Sequence, residues 1–412
     1  MLNLGHSRHT HDDAMFRSPS LSLGILRGMM DLPNLSPTIM PGIAILGAGI
    51  FAKEAHLPAL HKLGSKAPPL LAVYSRSEKT SRECAEAAAE LGLGPTPAPV
   101  IYHDAEPSVN LDALLARADI TAVIIVLPIT LQPAIVLKAL AAGKHVISEK
   151  PVAPDVAGGI KLINEYEQKY KRDLVWRVAE NFEAEPGYRA AGEMIATGKI
   201  GQVKLFKANV SNYIDKNNKY YNTPWRTIPD YQGGFLVIGR RRAYHRCLRV
   251  MLPEPLTHLS SIASLNREHL KPHDTIHALA RAGSHFHGIV DMSFASPTAS
   301  TPKADAFVIT GSKGWMTVNF EKSDGKNTVL RVVVKRAIEV EGQPTEEIEE
   351  VYEVPQRGIE EEFGAFFDAI AGRESQDFGS PLGALRDVAF IEAALTSEGK
   401  VVDLGALVAG TH

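Results

Sequence analysis

Short apolar runs alternate with helical patterns through the first half of the chain. Helical patterns lie at residues 50–60, 78–91, 131–142 and 157–170. Apolar runs of strand length lie at residues 42–46, 70–74, 100–102, 121–126, 146–148 and 174–178. Apolar strands that alternate with helices are typical of a parallel sheet covered on both faces. The first half therefore predicts an α/β domain.

The second half of the chain has a different pattern. Strand character returns at residues 203–212, 286–294, 306–310, 315–319 and 330–335. Residues 311–314, Gly-Ser-Lys-Gly, are typical of a hairpin turn. The segments 360–371 and 382–397 predict helices. We therefore expect a first domain over residues 41–165 and a second over 166–405, whose last helices pack back on the first.

The first 40 residues follow neither pattern. They contain three histidines within residues 6–11, several serines and prolines, and no clear periodicity. This composition predicts a disordered leader. A metal site at the histidines and a targeting peptide are the alternatives, and Asp12 and Asp13 count against the second. Met40 directly precedes the first strand, so we expect the functional chain to start there or the earlier residues to be dispensable.

The bulk composition is that of an ordinary globular protein. The chain has 412 residues, 45% of them hydrophobic, and a net charge of −3, which gives no general attraction to nucleic acid. Cys84 and Cys247 are its only cysteines and are far apart in sequence, so they favour a reducing compartment, and we expect a cytoplasmic protein. The best apolar run, residues 122–127, is too short to span a membrane.

A glycine-rich turn follows the first strand. Gly47 permits a tight turn, Gly49 lets the backbone approach a pyrophosphate, and Ala52 allows close packing of helix on strand. Ile50 and Phe51 lie where a helix begins, and the free N–H groups of a helix N-terminus favour phosphates. In this strand–turn–helix context the motif predicts a dinucleotide site. A purely structural turn is the alternative.

The end of the second strand bears on the choice of cofactor. An NAD-specific site usually has an acidic residue here to bind the ribose 2′-hydroxyl, but this chain has Ser75, Arg76 and Ser77. A carboxylate would repel a 2′-phosphate, whereas an arginine with hydroxyl groups would bind it. The sequence therefore favours NADP, with NAD as the alternative. Arg76 could also simply cap the strand end.

Two further strand ends carry candidate site residues. Leu127 and Pro128 end the fourth strand, and Gln132 begins the next helix. Glu149 and Lys150 end the fifth strand, because the proline that follows has no N–H to donate. Ligands of open α/β sheets bind at the carboxyl ends of strands, where an ammonium can hold a carbonyl or pass a proton. A surface ion pair before a proline turn is the alternative.

Together these motifs resemble those of a known family. The chain resembles the glucose–fructose oxidoreductase/inositol dehydrogenase (Gfo/Idh/MocA) family in Gly47-x-Gly49-x-x-Ala52, in the strand ending at Pro128, and in Glu149-Lys150-Pro151. The resemblance runs from about residue 40 to about residue 404. Shorter motifs at residues 56–58, 179–181, 218–220, 225–226 and 233–236 are similar to a fungal NADP-dependent branch.

The resemblance implies a fold and a set of site residues. It implies a Rossmann domain followed by an α+β domain with an open, mostly antiparallel sheet that often forms a homodimer. Lys150 would then touch substrate and nicotinamide, and Glu149 would lie beside the cofactor. Asn181, Trp225 and Arg226 would line the nicotinamide end. Without the family, Trp225 would be interpreted as a core residue.

The chain departs from the family at one point. The family has Asp-Gly-Gly-Val-His at the start of a helix, and this histidine usually donates or accepts the proton. Residues 237–247 lack the aspartate, and His245 lies too late in the segment to be the family's histidine. The stretch 240–249 also contains five arginines, which is unexpected for a buried helix at an active site.

A shift of reading frame offers one explanation. Moving the frame by one base between Gly239 and Leu248 allows Asp, Gly, Gly, Val and His in the family's order. We therefore hypothesise a local frame shift in this segment. Sequencing the transcript across codons 230–255 tests the hypothesis, and an in-frame arginine run there would reject it.

Two functions compete on these observations. The first is an NADP-dependent oxidoreductase that moves a hydride between nicotinamide and a sugar, polyol or small carbonyl substrate, with Lys150 polarising the oxygen. The second is an NAD(P)-binding sensor, co-regulator or inactive family member, because the Asp/His motif is absent. A third idea, a metal hydrolase using His285, His287 and Asp291, has little support, and we expect no metal.

Overall fold

The protein is described here by a computed structural model. The description covers residues 42–219, 221–223, 234, 244–300, 307–323, 328–338 and 346–409. The predicted leader, residues 1–40, lies outside it. Within these ranges, no helix combines the length and the apolar character that crossing a membrane requires.

In the described part of the chain, six strands form a parallel sheet in the order β3-β2-β1-β4-β5-β6. The strands are β1 (Gly42–Leu46), β2 (Leu70–Tyr74), β3 (Val100–Tyr102), β4 (Ile120–Ile125), β5 (His145–Glu149) and β6 (Trp176–Ala179). This confirms the predicted parallel sheet. The last strand lies beyond residue 165, so the sheet continues past the boundary that the sequence predicts.

Helices cover both faces of this sheet. They are α1 (Leu57–Leu63), α2 (Glu78–Glu90), α3 (Leu111–Leu115), α4 (Gln132–Ala141) and α5 (Val156–Lys169). Alternate side chains of β1 enter two different cores, Ala44 and Leu46 on one face and Ile43 and Ile45 on the other. Burial on both faces explains why the strand is continuously apolar.

Side-chain caps fix where several of these helices begin. Ser77 Oγ accepts from the N–H of Thr80 ahead of α2, and Asp155 Oδ1 accepts from the N–H of Gly158 ahead of α5. Each such cap satisfies one of the backbone donors that a helix leaves free, and is worth about 1 kcal/mol. The cap of α2 therefore also fixes the backbone that follows β2.

A second, larger sheet follows. Among the described residues it has nine strands in the order β14-β13-β12-β11-β7-β10-β9-β8-β15. The strands are β7 (Val203–Ser211), β8 (Leu256–Ser264), β9 (Thr275–Ala282), β10 (Phe286–Ser293), β11 (Phe307–Gly311), β12 (Gly314–Lys322), β13 (Thr328–Ile338), β14 (Glu346–Pro355) and β15 (Val402–Asp403). All neighbours are antiparallel except β7 and β10. The open, mostly antiparallel sheet is thereby confirmed, with the hairpin between β11 and β12.

Five further α-helices lie in the described part of the chain. They are α6 (Pro186–Ala196), α7 (Tyr244–Met251), α8 (Gly358–Ile370), α9 (Pro381–Thr396) and α10 (Leu404–Leu407). Phe363, Phe366 and Phe367 of α8 are buried in the same core as Ile43 and Ile45. Truncating one buried phenylalanine typically costs about 3–5 kcal/mol, so this contact ties the late helix to the first sheet.

The long helix α9 belongs to both cores of the molecule. Ala384 and Leu385 pack in the core of the first sheet, and Phe390 and Ile391 pack in the core of the second. The expected return of the last helices to the first domain is therefore present. It brings α8 and α9 close to the carboxyl edge of the first sheet.

Candidate active site

Five strands of the first sheet deliver the predicted site residues to one edge. Gly47 follows β1, Ser75 follows β2, Leu127 lies two residues beyond β4, Glu149 ends β5, and Asn181 lies two residues beyond β6. These strands are parallel and adjacent in the order β2-β1-β4-β5-β6, so their carboxyl ends meet along one line. In an open α/β sheet this edge is where ligands bind.

The two glycines of the turn play different roles. Gly47 has a φ of +113°, and a Cβ there would lie 2.1 Å from the carbonyl oxygen of Val126. Its N–H donates to the Tyr74 carbonyl at 2.8 Å, which ties β1 to the end of β2. A Cβ at Gly49 would meet no atom within 4 Å. The turn is therefore closed at Gly47 and open at Gly49, which fits the approach of a pyrophosphate.

The helix after the turn begins with one wide π-helical turn, Ala52–His56, which runs directly into α1. Ala52 is fully buried, as the close packing of helix on strand requires. Ile50 and Phe51 are half-buried at the start of this segment. The edge of the Phe51 ring meets the His56 ring, with centroids 5.1 Å apart. The predicted helix is present, but the π-helical turn was not predicted.

The residues after β2 are held by a small hydroxyl network. Ser77 caps α2, and Thr80 Oγ1 donates to Ser75 Oγ at 2.8 Å. A hydroxyl that accepts one hydrogen bond keeps its own hydrogen for another acceptor. Arg76 is exposed between the two serines. This arrangement leaves one guanidinium and one donor hydroxyl at the strand end, which is suited to a phosphate group.

The turn after β4 contains an unusual buried amide. The Pro128 carbonyl accepts from the N–H groups of Leu131 and Gln132, which shapes the turn that follows Leu127. Gln132 is only 1% exposed, and neither polar atom of its amide has a partner within the described residues. A buried polar group without a partner costs about 1–3 kcal/mol. A ligand at this edge would supply what the amide lacks, so Gln132 fits a cofactor site.

Glu149 and Lys150 lie near His56, a histidine to which the sequence patterns assign no role. Glu149 Oε1 lies 2.8 Å from His56 Nε2, and its Oε2 accepts from the backbone N–H of Lys150 at 3.2 Å. The Lys150 ammonium lies 4.0 Å from the same Oε2 and 5.8 Å from the centre of the Phe51 ring. Burial favours a raised pKa for Glu149, but the His56 hydrogen bond and the Lys150 charge outweigh it and lower that pKa.

A second carboxyl group lies near this pair. Glu362 of α8 is buried, and its Oε2 has no hydrogen-bond partner in the described structure. Burial, together with the carboxylates of Glu149 and Glu180, raises the pKa of Glu362 well above its ordinary value. Two carboxyl groups whose pKa values shift in opposite directions therefore lie near Lys150.

The predicted nicotinamide end is described only in part. Asn181 follows β6 and is half-buried. Trp225 and Arg226 lie outside the described residues, as do residues 235–243, where the family's aspartate and histidine would fall. The described side chains that meet at this edge are therefore those of the Rossmann domain and of α7–α9.

Helix α7 buries an arginine among carboxylates. Arg246 is 1% exposed and donates to Asp387 Oδ2 through Nε at 2.8 Å and through Nη2 at 2.6 Å. It also pairs with Glu180, and His245 Nδ1 lies 2.5 Å from Asp387 Oδ1. Burial alone would raise the pKa of Asp387, but Arg246 and the His245 hydrogen bond hold that pKa below its ordinary value.

This cluster corrects one expectation from the sequence. The sequence makes five arginines in segment 240–249 unexpected for a buried helix at an active site. Arg246 is instead compensated by two carboxylates, and Arg249 forms a paired contact with Glu183 at 3.0 and 3.1 Å. The structure thus accommodates these two arginines, while the other three of the segment lie outside the described residues. The frame-shift hypothesis stays a hypothesis.

The metal alternative gains nothing from the geometry. Within the ranges that the structure describes, no three His, Cys, Asp or Glu side chains are grouped so that they could bind a metal ion. Asp291, the proposed carboxylate ligand, accepts instead from His277 Nδ1 at 2.9 Å.

The sequence interpretation gave no role to three polar residues near the site. His56 belongs to the short motif at residues 56–58, and the sequence interpretation singles out neither Glu362 nor Asp387 as a site residue. For Glu362 a signal existed, because this acid lies on the apolar stripe of α8 that contains Ile359, Phe363 and Phe366. An acid at such a position is a candidate for a buried functional group.

The fold and the edge geometry define a two-domain dinucleotide-binding oxidoreductase. Residues 42–176 match the family model described as "Oxidoreductase family, NAD-binding Rossmann fold", and residues 188–317 match the "GFO/IDH/MocA C-terminal domain". The chain therefore belongs to the Gfo/Idh/MocA family of NAD(P)-binding oxidoreductases. This confirms the resemblance found in its motifs.

Individual relatives agree with this assignment. Dehydrogenase FPY6 from Fusarium mangiferae is 38% identical over 366 residues, which cover 87% of this chain and 96% of the relative. The crystal structure of an oxidoreductase from Thermotoga maritima is similar with a TM-score of 0.71 and 30% identity, covering 89% of this chain and 98% of that one. A 3-ketoreductase from Actinomadura kijaniata in complex with NADP and TDP-benzene shares the fold, with a TM-score of 0.63, 22% identity, and coverage of 85% and 96%.

Proposed function

We propose that the protein is an NADP-dependent oxidoreductase that transfers a hydride between nicotinamide and a sugar, polyol or small carbonyl substrate. The observation that carries the proposal is the alignment of an open glycine turn and the Glu149–Lys150 pair along one carboxyl edge. Gly49 leaves room for the pyrophosphate, and the buried amide of Gln132 offers unsatisfied donors and an acceptor beside it.

Lys150 is the proposed catalytic residue. Bound NADP(H) supplies the hydride chemistry, and the chain's own residues orient the substrate and hold the proton. The Lys150 ammonium would bind the substrate oxygen and stabilise the negative charge that develops there. Glu149, ionised beside it, would fix the position of the ammonium. Asn181, Trp225 and Arg226 are proposed to line the nicotinamide end.

The preference for NADP over NAD rests on the end of β2. Arg76 is exposed there, Ser75 has a hydroxyl hydrogen to donate, and the three residues that follow β2 include no carboxylate. A 2′-phosphate would gain a charge-assisted hydrogen bond from Arg76 that the 2′-hydroxyl of NAD cannot match.

Nicotinamide fluorescence tests both parts of the proposal. We expect the chain to bind NADPH more tightly than NADH. The substitution Arg76→Ala should weaken NADPH binding by about tenfold or more and leave NADH binding unchanged. Arg82→Ala is a matched control, because Arg82 is exposed on the same α2 but pairs with Glu78. Equal affinity for both cofactors, or tighter NADH binding, would reject the NADP assignment.

The absence of the Asp/His motif favours a second candidate. A family member without its proton donor would bind the cofactor and serve as a sensor or co-regulator. Loss of a general acid typically costs about 100- to 10,000-fold in rate. NADPH binding without oxidation in the presence of any carbonyl compound would favour this candidate over the enzyme.

We also propose that the protein forms a homodimer through the second sheet. Leu205, Ile262, Leu279 and Ile289 are large apolar residues exposed on strands of that sheet, and Ile289 lies opposite Leu279. An exposed apolar face of this kind is typical of an interface. Light scattering should give a molar mass of twice the 44.7 kDa of one chain, and Leu279→Lys should lower that molar mass toward the value of a single chain. A monomeric wild type would reject the dimer.

A cytoplasmic location is the final part of the proposal. Cys84 and Cys247 are both buried free thiols, and burial raises the pKa of the Cys84 thiol to about 11. Such unpaired cysteines are ordinary in a reducing compartment. Cell fractionation tests the location, and recovery in a secreted fraction would contradict it.

A further inference from the structure

His56 occupies an unusual place in the site. It is the last residue of the π-helical turn Ala52–His56, one turn away from the glycine-rich loop, and its side chain is only 1% exposed. Single π-helical turns within helices are frequently found at functional sites. The edges of the Phe51 and Phe363 rings meet the imidazole at centroid distances of 5.1 and 5.2 Å. The Phe51 and Phe363 rings therefore hold the imidazole from two sides, in addition to its hydrogen bond.

Among the described residues, the one polar contact of this histidine is with Glu149. An ionised carboxylate only accepts hydrogen bonds, so His56 Nε2 carries the hydrogen and donates it to Oε1 across 2.8 Å. His56 Nδ1 is buried and meets no partner among the residues that the structure describes. The imidazole thus directs its single polar interaction at the residue next to Lys150.

As a result, each carboxylate oxygen of Glu149 accepts a hydrogen bond. Oε1 is held by His56, and Oε2 accepts from the backbone N–H of Lys150 at 3.2 Å. The Lys150 ammonium stays 4.0 Å from Oε2, which is longer than a charge-assisted hydrogen bond of about 2.8 Å. The same ammonium lies 5.8 Å from the Phe51 ring centre, within cation–π distance.

We propose that His56 is a positioning residue for Lys150. By holding the Glu149 carboxylate, and by packing against Phe51, it keeps the Lys150 ammonium in a loose contact with Glu149 rather than in a tight ion pair. The ammonium then faces the substrate oxygen, a consequence that rests on the proposed function. Among the described residues, the side chain of His56 holds Oε1 of Glu149, and the Lys150 charge acts on the same carboxylate.

The test uses two substitutions at position 56 in the full-length chain. His56→Phe keeps an aromatic ring against Phe51 and Phe363 but removes the N–H donor. His56→Gln keeps an N–H donor at a similar reach and removes the ring. His61→Phe is the control, because His61 is an exposed histidine on α1 that contacts the Leu91 carbonyl instead.

The first readout is the acetylation rate of Lys150 by acetic anhydride, followed by mass spectrometry and independent of turnover. A tight ion pair with Glu149 protects the amine, so His56→Phe should slow this rate about fivefold or more. His56→Gln and the His61→Phe control should leave the rate within about twofold of wild type. In a Glu149→Gln background, where no ion pair can form, His56→Phe should have no further effect.

The second readout is kinetic. His56→Phe should lower kcat about tenfold or more while the NADPH dissociation constant changes less than about threefold, because the cofactor turn is untouched. A Lys150 acetylation rate unchanged by His56→Phe, or one that falls equally in the Glu149→Gln background, overturns the proposal. If His56→Phe does not fold, a slowed rate in His56→Gln overturns it. Failure of wild type to bind NADPH would instead reject the proposed function and leave the acetylation result to decide the role of His56.

Discussion

Gly47 and Gly49, two residues apart in the chain, make different demands on the structure. Gly47 has a left-handed φ of +113°, and a Cβ there would collide with the Val126 carbonyl at 2.1 Å. Gly49 has open space around the corresponding position. The first glycine is needed for the fold, and the second is needed only if a ligand approaches the backbone.

Valine substitutions separate these two demands. Gly49→Val should leave the unfolding temperature near that of wild type and abolish NADPH binding, because its side chain fills the space of the pyrophosphate. Gly47→Val should lower the unfolding temperature as well, since the backbone must shift. Thermal unfolding and NADPH titration on both variants check this. Undiminished NADPH binding by Gly49→Val would show that the turn does not hold the cofactor.

The buried carboxyl group of Glu185 makes the folding stability of the protein depend on pH. Its carboxyl group is buried and accepts from the N–H groups of Arg357 and Gly358, both at 3.1 Å. Burial outweighs these two hydrogen bonds and raises the pKa of Glu185 from 4.5 to about 7. The folded state therefore holds the proton more tightly than the unfolded state does. The associated stability is complete below about pH 4.5 and is lost as the pH rises to about 7.

The loss of stability can be measured by comparison with a variant in which residue 185 cannot ionise. A shift of this size corresponds to about 3 kcal/mol between pH 5 and pH 8. Denaturant unfolding should show wild type losing roughly that much more free energy than Glu185→Gln over this interval. Glu193→Gln, at an exposed position of α6, serves as the control. Parallel pH profiles for wild type and Glu185→Gln would contradict the buried-acid account.

Sequence reasoning found those site residues that directly follow a strand. Gly49, Arg76 and Lys150 were predictable from the sequence because each lies at or just beyond a strand end, where the local pattern predicts the edge of a sheet. His56 was not, because its partner Glu149 is 93 residues away in the chain. Contacts over such separations depend on tertiary packing, which a local pattern does not contain.

At the scale of elements, the cluster around Arg246 decides whether α7 stays docked. Arg246 neutralises Asp387 of α9 and Glu180 after β6, and all three side chains are buried. Arg246→Met fits the volume but leaves two buried carboxylates without their cation. Removing one partner of a buried pair typically costs about 3–5 kcal/mol, and we expect a destabilisation of that size.

Chemical unfolding measures this cost directly. Arg172→Met is the matched control, because Arg172 is almost fully exposed and should change stability by less than about 0.5 kcal/mol. An Arg246→Met variant as stable as wild type would show that the cluster does not hold α7 in place.

Some elements were visible in the sequence and others were not. The six parallel strands were predicted because each is a short, largely apolar run, and most of these runs alternate with helical patterns. Strand β14, Glu346–Pro355, was missed because acidic residues dominate it. Its charges are compensated across the ladder, where Lys335 pairs with Glu349 and Arg336 with Glu350. Such cross-strand pairs stabilise a polar strand only once its neighbour is in place.

At the scale of the whole molecule, α8 and α9 pack near the candidate site at the carboxyl edge of the first sheet. Helix α8 packs its phenylalanines on the Rossmann core and brings Glu362 beside Glu149, while α9 brings Asp387 to α7. Residues of α8 and α9 therefore lie near the candidate site at the edge of the first sheet. The α/β class, the antiparallel second sheet and the return of the last helices followed from pattern and resemblance, but the position of Glu362 near Glu149 did not.

The central claim is that Lys150 lies where hydride transfer occurs. Its most direct test is the rate of NADPH oxidation with a panel of carbonyl compounds, measured in a chain whose residues 239–243 are replaced by Asp-Gly-Gly-Val-His, so that His245 and Arg246 stay in place. We expect turnover of at least one compound, and Lys150→Ala in that chain should reduce kcat about 100-fold or more with NADPH affinity nearly unchanged. NADPH binding without oxidation of any compound, or equal rates with and without Lys150, would contradict the account.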